Sequence, residues 1–337
     1  MGIVIPLKKE INNSYLGLKN LVGDKLESVS KVIKYKLASE INLIHKMTNH
    51  HLDTGGKRIR PLLTLATAKL CGYIDGERDI NLSACVELIH SATLLHDDVI
   101  DNSDLRRGIK TANSIWGNQS SVLVGDYLFS RCFEIMVEDG SMEILKLLSS
   151  TSSTIAQGEV LQLEHKGEID LLEETYFNII NMKTAALFST ATRVGACIAN
   201  KSKKEKNALE SYGKNLGLAF QIADDALDYF SNKKILGKEI GKDFYEGKTT
   251  LPIIIIFQRA NSEEKKFLTK IFKKEKRNQD DFSETLALIN KYKAIQVSFK
   301  RAEYFVNVSY DALGIFKDCE EKKVLQNLTG FSLNRSY

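Results

Sequence analysis

The chain has 337 residues, of which 43% are hydrophobic and 27% charged, and a net charge of +4. That balance excludes a disordered chain, and so small an excess charge gives no concentrated basic stripe for nucleic acid. Five widely spaced cysteines (Cys71, Cys85, Cys132, Cys197, Cys319) without a C-x-x-C pair point to buried thiols in a reducing cytosol, not to a disulfide framework or a zinc site.

The N-terminal MGIVIPLKKE has too short an apolar stretch for a signal peptide. The longest later apolar run, 251–257, contains Pro252 and falls far short of a membrane span. A cytoplasmic protein with at most peripheral membrane contact is expected. Only three prolines occur (Pro6, Pro61, Pro252), and two stand where a helix would begin. Apolar residues recur at helical spacing over 64–70, 84–100, 122–137, 171–198 and 216–230, while alternating strand-like patterns are nearly absent. No break between these stretches is long enough for a linker. The sequence therefore predicts an all-α fold, with residues 1–337 as a single large domain of roughly a dozen helices.

In chain order, the first motif with chemical content is GGKRIRP. Lys57, Arg58 and Arg60 follow a flexible glycine pair, and Pro61 opens a helix. Arginine forks and a lysine point charge suit phosphate. The stretch 84–100 then carries His90 and, about two turns on, Asp97, Asp98 and Asp101. Asp97 and Asp101 are four apart and share one face, where like charges destabilise a bare helix. Oxygen-only ligands with room for waters and phosphate oxygens suit Mg²⁺. A helix end with solvated acids explains a single D-D-x-x-D as readily. Arg106 and Arg107 follow one short loop later. Taken singly, such loop arginines read as solvated and a lone histidine as a core group.

The stretch 216–230 repeats the spacing with Asp224, Asp225 and Asp228, and Gln221 stands one turn before Asp224. Two such motifs on apolar helices are poorly explained as surface decoration. Facing each other, they could hold several Mg²⁺ ions that bridge a diphosphate and neutralise the charge developing as it leaves. The next segment, GKDFYEGKTT, resembles a nucleotide-binding loop, but Gly241 is one residue too far from Gly247–Lys248–Thr249 and the preceding strand is missing. Further on, within 265–277, Phe267, Leu268, Ile271 and Phe272 share one helical face. Core packing is a plainer account of them than membrane docking.

The segments GGKRIRP, ELIHSATLLHDDVIDNSDLRRG, GDYLFSRCFE, QGEVLQLE, MKTAALFSTATRVGA, FQIADDALDYF and LGKEIGKDFYEGKTTLP occur in that order. Together they resemble the trans-polyprenyl diphosphate synthases, above all the bacterial octaprenyl diphosphate synthases that make quinone side chains. The resemblance implies an all-α homodimer of the isoprenoid synthase type, each subunit with a deep central cavity between the two aspartate motifs. The implied substrates are isopentenyl diphosphate and an allylic diphosphate such as farnesyl diphosphate. Lys57, Arg60, His90 and Arg107 would hold the diphosphate of isopentenyl diphosphate. Asp97, Asp101 and Asp224 would bind two or three Mg²⁺ ions bridged to the allylic diphosphate, with Asp98, Asp225 and Asp228 supporting. Arg106, Lys183 and Lys238 would contact the allylic diphosphate, and Thr184 and Gln221 would lie near the reacting carbons. The implied reaction is ionisation, condensation and elimination.

In that family, bulky aromatic residues just before the first motif block the product tunnel. Here Ser91, Ala92 and Thr93 are small, which implies an open tunnel and a long, octaprenyl product. Phe133 and Met136, on the helix of Asp126, are the candidates for its floor, Met136 about 15 Å along that helix from Asp126. A farnesyl or geranylgeranyl diphosphate synthase is the alternative. A class I terpene cyclase would have no use for a second diphosphate site, so Lys57, Arg60 and Arg107 count against it. A non-catalytic synthase subunit should have lost aspartates or arginines that this chain keeps.

Overall fold

The structure, a computed structural model, describes residues 8–230, 240–331 and 333. In chain order the helices are α1 (Lys8–Lys36), α2 (Asn42–Asp53), α3 (Ile59–Leu70), α4 (Arg78–Ile100), α5 (Ala112–Trp116), α6 (Asn118–Asp139), α7 (Met142–Glu164) and α8 (Glu173–Ile180). A π-helical turn (Asn181–Ala185) leads into α9 (Ala186–Ile198) and α10 (Lys203–Asp228). Then come α11 (Lys242–Glu246), α12 (Leu251–Arg259), α13 (Ser262–Phe272), α14 (Gln279–Lys291), α15 (Ala294–Ala312) and α16 (Glu320–Thr329). Among the described residues, the only strands are β1 (Leu105–Arg106) and β2 (Ile109–Lys110), a two-stranded antiparallel ladder. The all-α expectation is met. None of the described helices is long and apolar enough to cross a membrane.

Local chemistry sets the helix starts. Ser202 with Glu205, Asn261 with Glu264 and Asn278 with Asp281 form reciprocal capping boxes, so each pair satisfies backbone donors at both ends of the first turn. Pro252 lies in the first turn of α12, where its missing N–H costs nothing. Burial then orders the helices. Leu82, Leu88, Ile89 and Leu95 on α4 are fully enclosed, so α4 runs through the interior, against α1, α3, α6 and α9. Ion pairing follows where it enters the core: buried Asp79 accepts from Lys25 of α1 at 2.6 Å.

The apolar interior forms two contiguous clusters. The first gathers α1, α3, α4, α6 and α9, and the second gathers α8, α12, α13, α14 and α15. Among the described helices, α10 alone contributes buried side chains to both. Its Leu209, Tyr212 and Leu216 belong to the first cluster, and its Leu218, Ile222 and Ala226 to the second. Gly213 lets α10 press on α9, since a Cβ there would collide with the Phe188 carbonyl. Tyr212 donates to the Leu325 carbonyl at 2.8 Å, and Ser309 donates to the Tyr212 carbonyl at 2.9 Å. The two aspartate motifs sit at the ends of α4 and α10, at the seam between the clusters.

On α13, Leu268, Ile271 and Phe272 are buried in the second cluster and Phe267 packs against it, so that apolar face serves the core. Cys71, Cys85, Cys132 and Cys197 are buried free thiols, and Cys319 is half-buried. Met136 is enclosed in the first cluster. Phe133 is 49% exposed on the outer side of α6, because its position falls on the helix face turned from α4. Phe133 is therefore corrected: within one chain it cannot form a tunnel floor.

Candidate active site

The end of α4 places three carboxylates in three different settings. Burial, with Glu159 and Asp101 nearby, lifts the Asp97 carboxyl to about 7, against the pull of Lys183 and Arg106. Asp98 is 3% exposed and is held by Arg106, whose Nε lies 3.1 Å from both its oxygens and whose Nη2 lies 2.8 Å from Oδ1. That contact exists because the chain doubles back immediately after α4. Arg107 (φ 53°) and Gly108 (φ 79°) make a two-residue turn between β1 and β2, returning Arg106 to the helix end. Asp101 accepts from Lys248 Nζ at 3.0 Å.

The second motif is divided in the same way. Asp224 is exposed. Asp225 is buried and accepts from Tyr176 Oη and Gln221 Nε2, each at 2.7 Å. Burial and Asp243 push its carboxyl up, while those two bonds pull it down. Asp228 accepts backbone N–H bonds from Lys242 (3.2 Å) and Asp243 (2.9 Å), the first amides of α11. The short α11 is thereby fixed to the end of α10.

Residues of α11 and just beyond span the gap between the motifs. Asp243 is raised to about 6, first by burial, with Glu246, Asp224 and Asp101 adding repulsion and Lys248 opposing. It therefore feels charge from both aspartate clusters. Burial lowers the Lys248 pKa, but Asp101, Asp243 and Glu246 together hold it well above the ordinary range. Lys242 reaches the same end of α4, donating to Ser103 at 2.8 Å.

The basic residues form a second, adjoining group. His90 is kept far below its ordinary pKa by burial and by Arg60, His51, Arg106 and Arg107. His51, on α2, falls to about 4, first by burial and then through Arg106, Arg107 and His50. Glu87, one turn before His90, is raised by burial while Arg60, Arg58 and Arg107 oppose the shift. The Arg60 guanidinium stacks 4.5 Å from the Phe188 ring, and Lys57 Nζ lies 4.7 Å from the Phe331 ring. Arg107 donates to the Gly55 carbonyl, and Arg58, in a left-handed conformation, donates to Ser30. Beside Gly55–Arg58 lies a cavity of about 450 Å³, bounded on its other side by Tyr15, Lys19 and Leu26 of α1. Concentrated positive charge beside concentrated carboxylates suits anionic ligands carried with cations.

Lys183 and Thr184 both lie in the π-helical turn, where an extra residue interrupts the run from α8 to α9. Such turns concentrate at functional sites. Lys183 Nζ contacts Glu159 at 2.5 Å and Gln162 at 2.6 Å, both on α7. The approach depends on Gly158, because a Cβ there would lie 2.7 Å from Met182 Cβ and 3.0 Å from the Lys183 amide nitrogen. Thr184 Oγ1 donates to Gln221 Oε1 at 2.7 Å. Ala92 is enclosed, and Thr93, half-buried, donates to the His90 carbonyl at 2.8 Å. Lys238 lies outside the described residues.

Sequence reasoning did not single out Glu159, Gln162, Tyr176, Asp243 or Lys248. Lys248 was weighed only as part of a nucleotide loop, and instead a five-residue helix joins Gly241 to Gly247. For Glu159 and Gln162 a signal existed, since three-residue spacing puts both on one face of a helix.

Among the described residues, no group of three His, Cys, Asp or Glu side chains is already gathered as a metal cage. The donors nonetheless fit Mg²⁺. Asp97 and Asp101 offer hard oxygens from α4 and Asp224 from α10, and Mg²⁺ typically takes one or two carboxylates and completes its shell with water and substrate phosphate.

The sequence model of one family, described as polyprenyl synthetase, matches residues 41–289. Octaprenyl diphosphate synthase of Haemophilus influenzae is 35% identical over 331 residues, 98% of this chain and 100% of that protein. A short chain isoprenyl diphosphate synthase of Methanothermobacter thermautotrophicus is 32% identical over 325 residues, 94% of this chain and 99% of that protein. Among solved structures, a polyprenyl synthase from Caulobacter crescentus complexed with calcium and isoprenyl diphosphate is 40% identical and superposes with a TM-score of 0.92, covering 96% of this chain and 98% of that one.

Proposed function

The chain belongs to the polyprenyl synthetase family, and from that premise we propose that it adds isopentenyl units repeatedly to an allylic diphosphate, making a long all-trans product. The observation that carries the reading is that one short segment ties the two motifs together: the Asp243 amide donates to Asp228 and Lys248 donates to Asp101, with a basic group around His90 on the same helix as Asp97. A cyclase would need the carboxylates but not the second set of cations.

In this reading Lys57, Arg60, His90 and Arg107 hold the diphosphate of isopentenyl diphosphate. Arg106, Lys183 and Lys238 meet the allylic diphosphate, and Lys248, next to Asp101, joins them. Asp97, Asp101 and Asp224 would hold Mg²⁺, which supplies charge neutralisation for the leaving diphosphate. As the allylic C–O bond breaks, Arg106 and Lys183 stabilise the anion that departs. Thr184 and Gln221 turn oxygen dipoles toward the allylic cation. The terminal alkene carbon of isopentenyl diphosphate attacks that cation, and the proton then leaves to the released diphosphate.

Relatives of both long and short product length resemble this chain, so the proposed octaprenyl length rests on its own residues. Ser91, Ala92 and Thr93 leave space beneath the first motif, with Met136 as the floor. A quinone side chain is the proposed use, and a homodimer the proposed assembly. The cytoplasm is the proposed setting, in keeping with the free cysteines.

Purified protein given farnesyl diphosphate, labelled isopentenyl diphosphate and Mg²⁺ should yield a ladder ending at one long all-trans polyprenyl diphosphate. Absence of elongation by folded protein would overturn the reading. Ala92→Phe should shorten the product sharply, and an unchanged product length would sink the open-tunnel argument.

A further inference from the structure

Three hydrogen bonds run from the reacting end of the site into the core, and neither metal nor phosphate binding accounts for them. Tyr176 Oη donates to Asp225 Oδ2, Gln221 Nε2 donates to Asp225 Oδ1, and Thr184 Oγ1 donates to Gln221 Oε1, each at 2.7 Å. The chain links α8, α10 and the π-helical turn, and its inner members are enclosed: Tyr176 is 2% exposed and Asp225 5%.

We propose that Tyr176 and Asp225 are positioning residues that fix which way the Gln221 amide faces, and through it the direction of the Thr184 hydroxyl beside the allylic cation. The proposal rests on the prenyltransferase reading of the site. A primary amide presents a donor end and an acceptor end of nearly equal shape, so packing alone does not choose between them. An accepting oxygen at Asp225 Oδ1 holds the NH₂ group inward and leaves Oε1 toward Thr184. The threonine hydroxyl then spends its proton on Oε1, and its lone pairs are left for the side where positive charge develops. With the amide reversed, the NH₂ group would occupy a threonine lone pair and turn the hydroxyl proton outward. The sign of the dipole met by the cation would change, and dipoles fixed in advance are where such sites gain most of their effect.

Tyr176 supplies the second carboxylate oxygen with a donor, so Asp225 is not left half-satisfied in a buried place, where that is costly. The amide direction does not depend on the charge of Asp225. A carboxyl protonated at Oδ2 still accepts from Nε2 at Oδ1. Within the second aspartate motif the division of labour follows: Asp225 orients the organic half of the site, while Asp224 faces the ionic half.

The test uses the full-length chain with an allylic diphosphate, isopentenyl diphosphate and Mg²⁺. Removing only the phenol oxygen, Tyr176→Phe should lower kcat by about ten-fold, the scale of one lost buried hydrogen bond. Asp225→Leu keeps the approximate size but offers no acceptor to the Gln221 amide, so nothing then fixes which way that amide faces. It should lower kcat by about a hundred-fold, the scale of a lost oriented dipole. In both variants KM for isopentenyl diphosphate and the Mg²⁺ concentration for half-maximal rate should stay within about two-fold of wild type, and Tyr176→Phe added to Gln221→Ala should cost nothing further. An unchanged kcat, a raised Mg²⁺ requirement, or additive losses in the double variant would overturn the proposal. Should Tyr176→Phe not fold, Asp225→Leu, which is close in size, carries the same comparison. Wild-type protein that does not elongate at all would overturn the parent reading instead, and this proposal with it.

Discussion

His51 and His90 are both held neutral, by burial first and then by the arginines that surround them. For His51 the native pKa is about 4 against an ordinary 6.5. Between those values the unfolded chain binds more protons than the native one, so the contribution to stability is complete above 6.5 and is lost as the pH falls through about 4. Thermal unfolding followed from pH 7 to pH 4 should show a falling midpoint, and His51→Gln should flatten part of that fall. Saturating inorganic diphosphate should flatten it in the wild type, because the anion offsets Arg106 and Arg107. An unaltered slope in the variant would mean that other groups carry the acid sensitivity. At this scale the sequence spoke clearly where residues repeat at short spacing, as in the two aspartate motifs. It was silent on Lys248 and Asp101, partners 147 residues apart, and on Tyr176 with Asp225, 49 apart. No local pattern encodes such pairs.

Among the elements, the long helices were legible because their apolar period is strong and their caps are chemically explicit. The π-helical turn was not, since one inserted residue leaves the composition of MKTAALF unchanged while shifting Lys183 and Thr184 together toward α7 and α10. The β1–β2 turn was equally hidden, being too short for any alternating pattern. The π-helical turn depends on close contact with α7 at Gly158. Gly158→Ala should therefore lower both the melting midpoint and the rate, with a stability loss of about 1–3 kcal/mol for overpacking. The added methyl would meet Met182 and the Lys183 backbone, neither of which is a free chain end. A variant with native melting behaviour and native rate would show that α7 yields at that point.

For the molecule as a whole, the fold class followed from the sequence, whereas the outward aspect of α6 did not. Leu123, Phe133 and Val137 are 68%, 49% and 68% exposed. They fall at three-to-four-residue multiples along α6, so they make one apolar stripe on its outer side. The homodimer proposed above predicts that this stripe is covered in solution. Phe133→Glu combined with Val137→Glu should convert the sedimenting species from dimer to monomer. A wild-type monomer, or a variant that remains dimeric, would remove that stripe from the interface.

The position of α10 in both apolar clusters carries one more consequence. Two clusters joined mainly by a single helix are two cooperative units in the making, each able to loosen while the other holds. The aspartates, Lys242, Lys248 and Ser103 lie across their join. Ligands gathered there bind only when both units are native and correctly opposed. By mass action they favour the fully folded form over every half-loosened one. Occupancy of the join by ligand thus narrows the ensemble of the molecule, because every half-loosened form has lost part of the site.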